Sequence, residues 1–230
     1  MLQSWRHLLF LHWKISPQLI QALLPQGLTV DLFDGNAWVT LTPFTLSLRP
    51  PAGPKVPLLN RFHEVNLRTY VHRDGKDPGV WFFSLDASNP AAVAGARAAY
   101  KLPYKFALMT MDVSEKLPTR ISYKSRREFP GPTPANLALE YTVDEGVPVI
   151  SKLGSLEHFL VERYILYART RDRLYRARVH HRPYGIQPAT IHHLDETLTW
   201  AGKVKGEGHP MVQYSPGVDV KIYPLERVKA

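Results

Sequence analysis

The sequence predicts an α+β fold, mainly antiparallel β, with the sheet curled into a barrel and two or three helices inserted. Three observations carry this. Strand-like runs recur along the whole chain, several joined by tight-turn pairs: Asp34-Gly35, Asp74-Gly75 and Arg171-Asp172. Helix signals are few, and each is a short run behind a Ser or Asn cap. No internal repeat and no long linker divides the 230 residues, so residues 1–230 are expected to form a single domain.

The elements follow in order. Ser16-Pro17 caps a short helix whose apolar stripe is Leu19, Ile20, Leu23 and Leu24, closed by Pro25 and Gly27. Leu28 to Phe33 and Ala37 to Thr42 read as a hairpin around Asp34-Gly35, with Pro43 ending the second strand or placing it at an edge. Pro50, Pro51, Pro54 and Pro57 mark an irregular loop. Phe62 to Val71 alternates as a strand, and Asp74-Gly75 turns it toward Gly79 to Leu85, which is apolar on both faces and reads as central. Asn89-Pro90 caps a helix to Tyr100, whose alanines suit close packing on the sheet. Strands follow at Tyr104 to Val113, Thr119 to Arg127 and Leu137 to Val143, with Pro130-Gly131-Pro132 and Pro134 as punctuation. Ser155 to Arg163 is a short helix. Tyr164 to Arg169 and Leu174 to His180 pair around Arg171-Asp172, Ile191 to Trp200 is mixed, and Val218 to Tyr223 is the last strand.

Composition excludes several classes of function. There is no cysteine, so no disulfide, thiolate metal site or cysteine nucleophile exists. No run approaches the roughly 20 apolar residues a membrane helix needs. Leu8-Leu9-Phe10-Leu11 is hemmed in by Arg6, His7, His12 and Lys14, too short for a signal-peptide core. A soluble, cytoplasmic protein is the expectation. The net charge of +9 would attract acidic partners. However, no nucleic-acid motif accompanies it, and the Arg-rich hairpin (Arg169, Arg171, Arg173, Arg176, Arg178) reads as a solvated face. His63-Glu64 starts like the zinc-protease motif, but Leu67 stands where the second histidine would be. The pairs His180-His181 and His192-His193 would face opposite ways on strands and so do not offer two ligands to one metal. No Gly-rich phosphate loop, Gly-x-Ser-x-Gly elbow or dinucleotide fingerprint occurs, and no cofactor or metal is implied.

The most informative stretch is Phe62 to Val71. Val65, Leu67, Thr69 and Val71 share one face, and Glu64, Asn66, Arg68 and Tyr70 share the other. Glu64 and Arg68 lie roughly 13 Å apart along a strand, so they cannot neutralise each other directly. Each needs a cross-strand partner or water, because an unpaired buried charge is costly. Two readings stand: a polar pocket with Glu64 as general acid/base and Arg68 as an anion clamp, or a structural ion-pair network.

Several stretches together resemble an uncharacterised bacterial family, the YqjF-like proteins. They are Phe10-Leu11-His12-Trp13, the run from Phe62 to Val71, Gly79-Val80 with Ser84-Leu85-Asp86, Leu102-Pro103-Tyr104, Glu162-Arg163-Tyr164, and Tyr214 to Val220. That family is similar to the acetoacetate decarboxylase superfamily. The resemblance implies a cone-like β-barrel around a polar cavity. In the decarboxylase a lysine of a Pro-Lys-Lys segment forms a Schiff base with a β-keto acid, served by nearby Arg and Glu residues. The corresponding segment here is Pro103-Tyr104-Lys105, so a tyrosine stands where that lysine would be. Lys105 would reach the reaction only from the opposite strand face. The decarboxylase activity is therefore not carried over, whereas Glu64 and Arg68 are expected to face the cavity.

The candidate catalytic residues are thus Glu64 and Lys105, and the candidate ligand-binding residues are Arg68, Asn66, Tyr70 and Tyr104. The expected ligand is a small organic acid or aromatic metabolite, either handled by acid/base chemistry on a keto acid or held by a non-catalytic, stress-response sequestering module. Membrane partners are not expected, nucleic acid is disfavoured, and a homo-oligomer is compatible.

Overall fold

The computed structural model describes residues 1–49, 61–114, 116–130 and 134–228. The proline loop at positions 50–57 and the punctuation at positions 131–133 lie outside the described residues. The strands are β1 (Leu2–Ile15), β2 (Thr29–Val30), β3 (Ala37–Arg49), β4 (Arg61–Arg73), β5 (Lys76–Ala87), β6 (Tyr104–Val113), β7 (Arg120–Phe129), β8 (Asn136–Val143), β9 (Val149–Ile150), β10 (Ile165–Thr170), β11 (Arg173–His181), β12 (Gly185–Ile186), β13 (Ala189–Glu196), β14 (Met211–Ile222) and β15 (Glu226–Arg227). The helices among the described residues are all short: α1 (Pro17–Leu23), α2 (Pro90–Tyr100), α3 (Leu156–Val161) and α4 (Leu198–Ala201).

The expected mainly antiparallel sheet is present, and it curls into a ring rather than a strict barrel. The circuit runs β5-β10-β11-β14-β1-β3-β4 and closes because β4 also pairs with β5. Two pairings are parallel, β5 with β6 and β5 with β10. Both use the same edge of β5: β10 meets Val80 and Trp81, and β6 meets Leu85 to Ala87. From β6 an arm, β6-β7-β8-β13, leaves the ring and folds back over its outside.

This gives two cores. Leu8, Phe10, Phe44, Leu46 and Leu85 point into the ring, where Leu160 of α3 meets them. Leu9, Leu11, Leu41, Val65 and Leu67 point out and are covered by Tyr123, Leu139 and Tyr141 of the arm. Strands β1, β3 and β4 are therefore buried on both faces.

Double burial explains what the sequence pattern missed. β1 is a 14-residue strand, and Leu8 to Trp13 is buried without interruption, so no polar-apolar alternation announces it. Pro43 does not end β3. It sits opposite Val65, where the β1 register slips between Arg6 and Leu11, so its missing N–H disturbs no ladder on that side. The Asp34-Gly35 turn forms with both residues at positive φ. However, β2 pairs with β4 and not with β3, so the expected hairpin reduces to one Phe33–Asn36 bridge. The Asp74-Gly75 and Arg171-Asp172 hairpins form as expected. Gly217 is a positional requirement: its φ is +136°, and a Cβ there would come within 2.1 Å of the Trp5 carbonyl.

The helix caps follow the sequence. Ser16, Asn89 and Ser155 each accept from a backbone N–H three residues on. The expected close packing of α2 does not occur. Only Val93 of that helix is buried, and a Cβ on Gly95 would meet nothing within 4 Å. No helix among the described residues is long and apolar enough to cross a membrane.

Candidate functional site

The polar face of β4 looks into the ring. Glu64, Asn66 and Arg68 line an internal cavity of about 60 Å³, together with Thr42 of β3, Tyr104 of β6 and His181 of β11. Apolar walls from β1, β3 and β5 surround them. A water-sized sphere needs about 10–15 Å³, so the chamber takes about four to six such atoms.

Glu64 is 3% exposed. Its Oε2 accepts a hydrogen bond from the Tyr104 hydroxyl at 3.0 Å, and no cation pairs with it among the described residues. Burial pushes its pKa up to about 8, only partly offset by the tyrosine, with Asp86 adding to the rise. Tyr104 is held well above the usual tyrosine range by burial and by Glu64, so it stays a donor. Near neutral pH the carboxyl is therefore protonated.

Arg68 is 7% exposed and has no carboxylate partner among the described residues. Its Nη2 donates to the Leu160 carbonyl at 3.3 Å, and the guanidinium lies 5.6 Å from the Phe10 ring centroid. Leu160 belongs to the last turn of α3, where free carbonyls carry partial negative charge. Arg68 Nε has no hydrogen-bond partner, nor have Asn66 Oδ1 and Thr42 Oγ1. An unpartnered buried donor on a guanidinium is costly.

Tyr70 supports the site rather than lining it. Its hydroxyl donates to the same Leu160 carbonyl at 2.7 Å and pairs with Thr40 at 2.6 Å. Thr40 in turn meets His12 Nδ1 at 2.8 Å, and His12 Nε2 meets Gln213 at 3.1 Å. Because the Tyr70 proton goes to Leu160, Thr40 donates to Tyr70. Burial, with Arg68 nearby, lowers the His12 pKa to about 3, so the relay is neutral.

Lys105 is not brought to this chamber. It follows Tyr104 on β6 and faces the other way, where its Nζ donates to the Pro130 carbonyl at 2.8 Å. Burial, then Arg127 and Arg97, lower its pKa. It lines a surface groove with Arg97, Lys101 and Arg169, and among the described residues no lysine lines the chamber.

His181 was missed by sequence reasoning, which treated the tandem histidines only as metal ligands. As that reading expected, the pair splits: His180 is exposed and His181 is buried. His181 Nδ1 lies 2.8 Å from the Arg182 carbonyl and so carries the proton, leaving a lone pair on Nε2. Burial lowers its pKa, keeping the ring neutral. The alternation of β11, with Ala177 and Val179 buried, was the available signal. Glu162-Arg163-Tyr164 forms no local ion pair. Glu162 accepts from Tyr164 and from the Tyr184 backbone, while Arg163 pairs with Asp31 at 2.6 Å and lines the chamber. Among the described residues, no group of three or more His, Asp or Glu is placed to hold a metal.

A family profile described as "Uncharacterized conserved protein (COG2071)" matches residues 2–219. The chain belongs to the DUF2071 family. "Uncharacterized protein YqjF" of Bacillus subtilis (strain 168) is 38% identical over 229 residues, covering 99% of this chain and 92% of that protein. The DUF2071 chain also shares its fold with solved structures. The enduracididine biosynthesis enzyme MppR complexed with pyruvate superposes with a TM-score of 0.69 at 11% identity, over 98% of this chain and 89% of that one. An acetoacetate decarboxylase-like enzyme from Sphingomonas wittichii RW1 gives 0.65 at 17% identity, over 99% and 92%. Acetoacetate decarboxylase from Legionella pneumophila subsp. pneumophila str. Philadelphia 1 gives 0.62 at 14% identity, over 99% and 87%. The fold is therefore acetoacetate decarboxylase-like.

Proposed function

We propose that this chain binds a small organic acid in the ring chamber, with Arg68 and Asn66 holding its polar end. The observation that carries this is Arg68: a buried guanidinium with no carboxylate beside it among the described residues and an unpartnered Nε, in a cavity. A ligand carboxylate would supply the missing acceptor in a geometry guanidinium favours. The chamber size suits a three- or four-carbon acid, and pyruvate, with which one fold neighbour is complexed, is of that size.

The chemistry best supported is proton transfer next to a carbonyl. Glu64, neutral near pH 7, can give a proton to a carbonyl oxygen, and neutral His181 can accept one from carbon. With no lysine among the described residues that line the chamber, a Schiff-base route finds no nucleophile among them. The same absence supports a second reading, non-catalytic sequestration of the acid.

The two readings separate in one experiment. Pyruvate in D2O should exchange its methyl protons faster with the protein than without it, and E64Q should lose the acceleration while keeping ligand-induced thermal stabilisation. Stabilisation without exchange supports sequestration. If pyruvate and related 2-oxo acids neither stabilise the protein nor exchange, the acid-binding reading fails.

A further inference from the structure

Beside the polar chamber lies a second, larger space of about 390 Å³ between α2 and the ring. The two share a wall of Gln3, Leu46, Leu102, Tyr104, Leu166 and Ile222. The far side is Phe62, Leu48 and the small residues of α2, and among the described residues no charged side chain lines it. It exists because α2 stands off the sheet: Ala91, Gly95 and Ala99 are exposed although they line the space. Gly95 has room for a side chain, so close packing does not account for a glycine there.

We propose that this cleft takes the hydrocarbon tail of the acid whose carboxylate sits on Arg68, making the preferred ligand a monocarboxylate longer than the chamber can hold. This rests on the acid-binding reading above. The chamber has space for a head group and little more, while the adjoining apolar volume is several times larger. Tyr104 lines both spaces, with its hydroxyl on Glu64, so a ligand spanning them would place its polar end at the acid and its chain beneath α2.

The test is calorimetric titration of the full chain with acetate, butanoate, hexanoate and octanoate, with pyruvate as the head-group control. Affinity should rise about fourfold for each methylene buried, until the cleft is full. Gly95→Leu, which fills the cleft from an exposed helix position, should weaken octanoate by about tenfold and leave pyruvate unchanged. Pyruvate binding with no dependence on chain length would overturn the tail assignment and leave the acid-binding reading standing. If no acid of any length binds, both fall. The chain-length series needs no variant, so the outcome does not depend on Gly95→Leu folding.

Discussion

Two buried carboxylates lie on neighbouring strands of this ring and meet opposite fates. Asp86 of β5 is fully buried, and both its oxygens accept from Arg127, at 2.8 and 2.9 Å, with Ser84 taking a third bond from the same guanidinium. Glu64 of β4 is as deeply buried and, among the described residues, receives only a tyrosine hydroxyl. The cations divide likewise: Arg127 and Arg163 each have an aspartate, and Arg68 has none among the described residues. The difference teaches where the molecule binds itself together and where it keeps polar capacity in reserve. Asp86–Arg127 ties the arm to the ring. Glu64 and Arg68 share a cavity and are left open to something else.

The comparison can be broken from the structural side first. Arg127→Met should strand Asp86, costing about 3–5 kcal/mol. For a chain of this size that is a fall in melting temperature of about 6–20 °C. Asp86→Leu combined with Arg127→Met should recover most of it in the same melting experiment, because the uncompensated charge is gone.

The next largest effect is on pH dependence. Glu64 has its folded pKa raised from 4.5 to about 8. Between those values the folded protein holds a proton that the unfolded chain has released, so stability falls as pH rises through the window and levels off above it. E64Q should lose that part of the slope and exceed the parent above pH 8 by up to about 4 kcal/mol, measured by urea unfolding at several pH values. Asp86, also raised by burial, adds a slope of the same sign that remains in E64Q.

Arg68→Met should do the reverse of Arg127→Met. Folding stability should change little, while affinity for a small acid drops by about 1.5–3 kcal/mol, or roughly 10- to 150-fold, by titration. Affinity in the parent should also fall above pH 8, by up to about tenfold per unit, as Glu64 charges next to the bound anion. Tyr104→Phe is the smallest change. It removes one hydrogen bond, about 0.5–1.5 kcal/mol. Because that bond holds the Glu64 pKa down, the pH midpoint of affinity should move upward.

Much of this was legible in the sequence, for identifiable reasons. Two tight turns, three helix caps and the alternation of Phe62 to Val71 are local signals, and each appears where expected. The division of β4 into an apolar outer face and a polar inner face follows from a period of two residues. What escaped were segments whose signal is not local. β1 is apolar on both faces, and β3 crosses Pro43 at a bulge that only its neighbour reveals. His181 joins Glu64 from more than a hundred residues away.

By itself, then, the sequence determined that Glu64, Asn66 and Arg68 share a face and that Tyr104 and Lys105 do not, because strand geometry is set by the backbone. It could not decide whether that face met solvent, ion pairs or a cavity. Closure of β4 on β5 and the cover of α3 decided that, since partners for a buried charge are supplied by strands distant in the chain. Asp86 found Arg127 there. Among the described residues Arg68 found only a helix-end carbonyl, and the space beside it is what marks the candidate site.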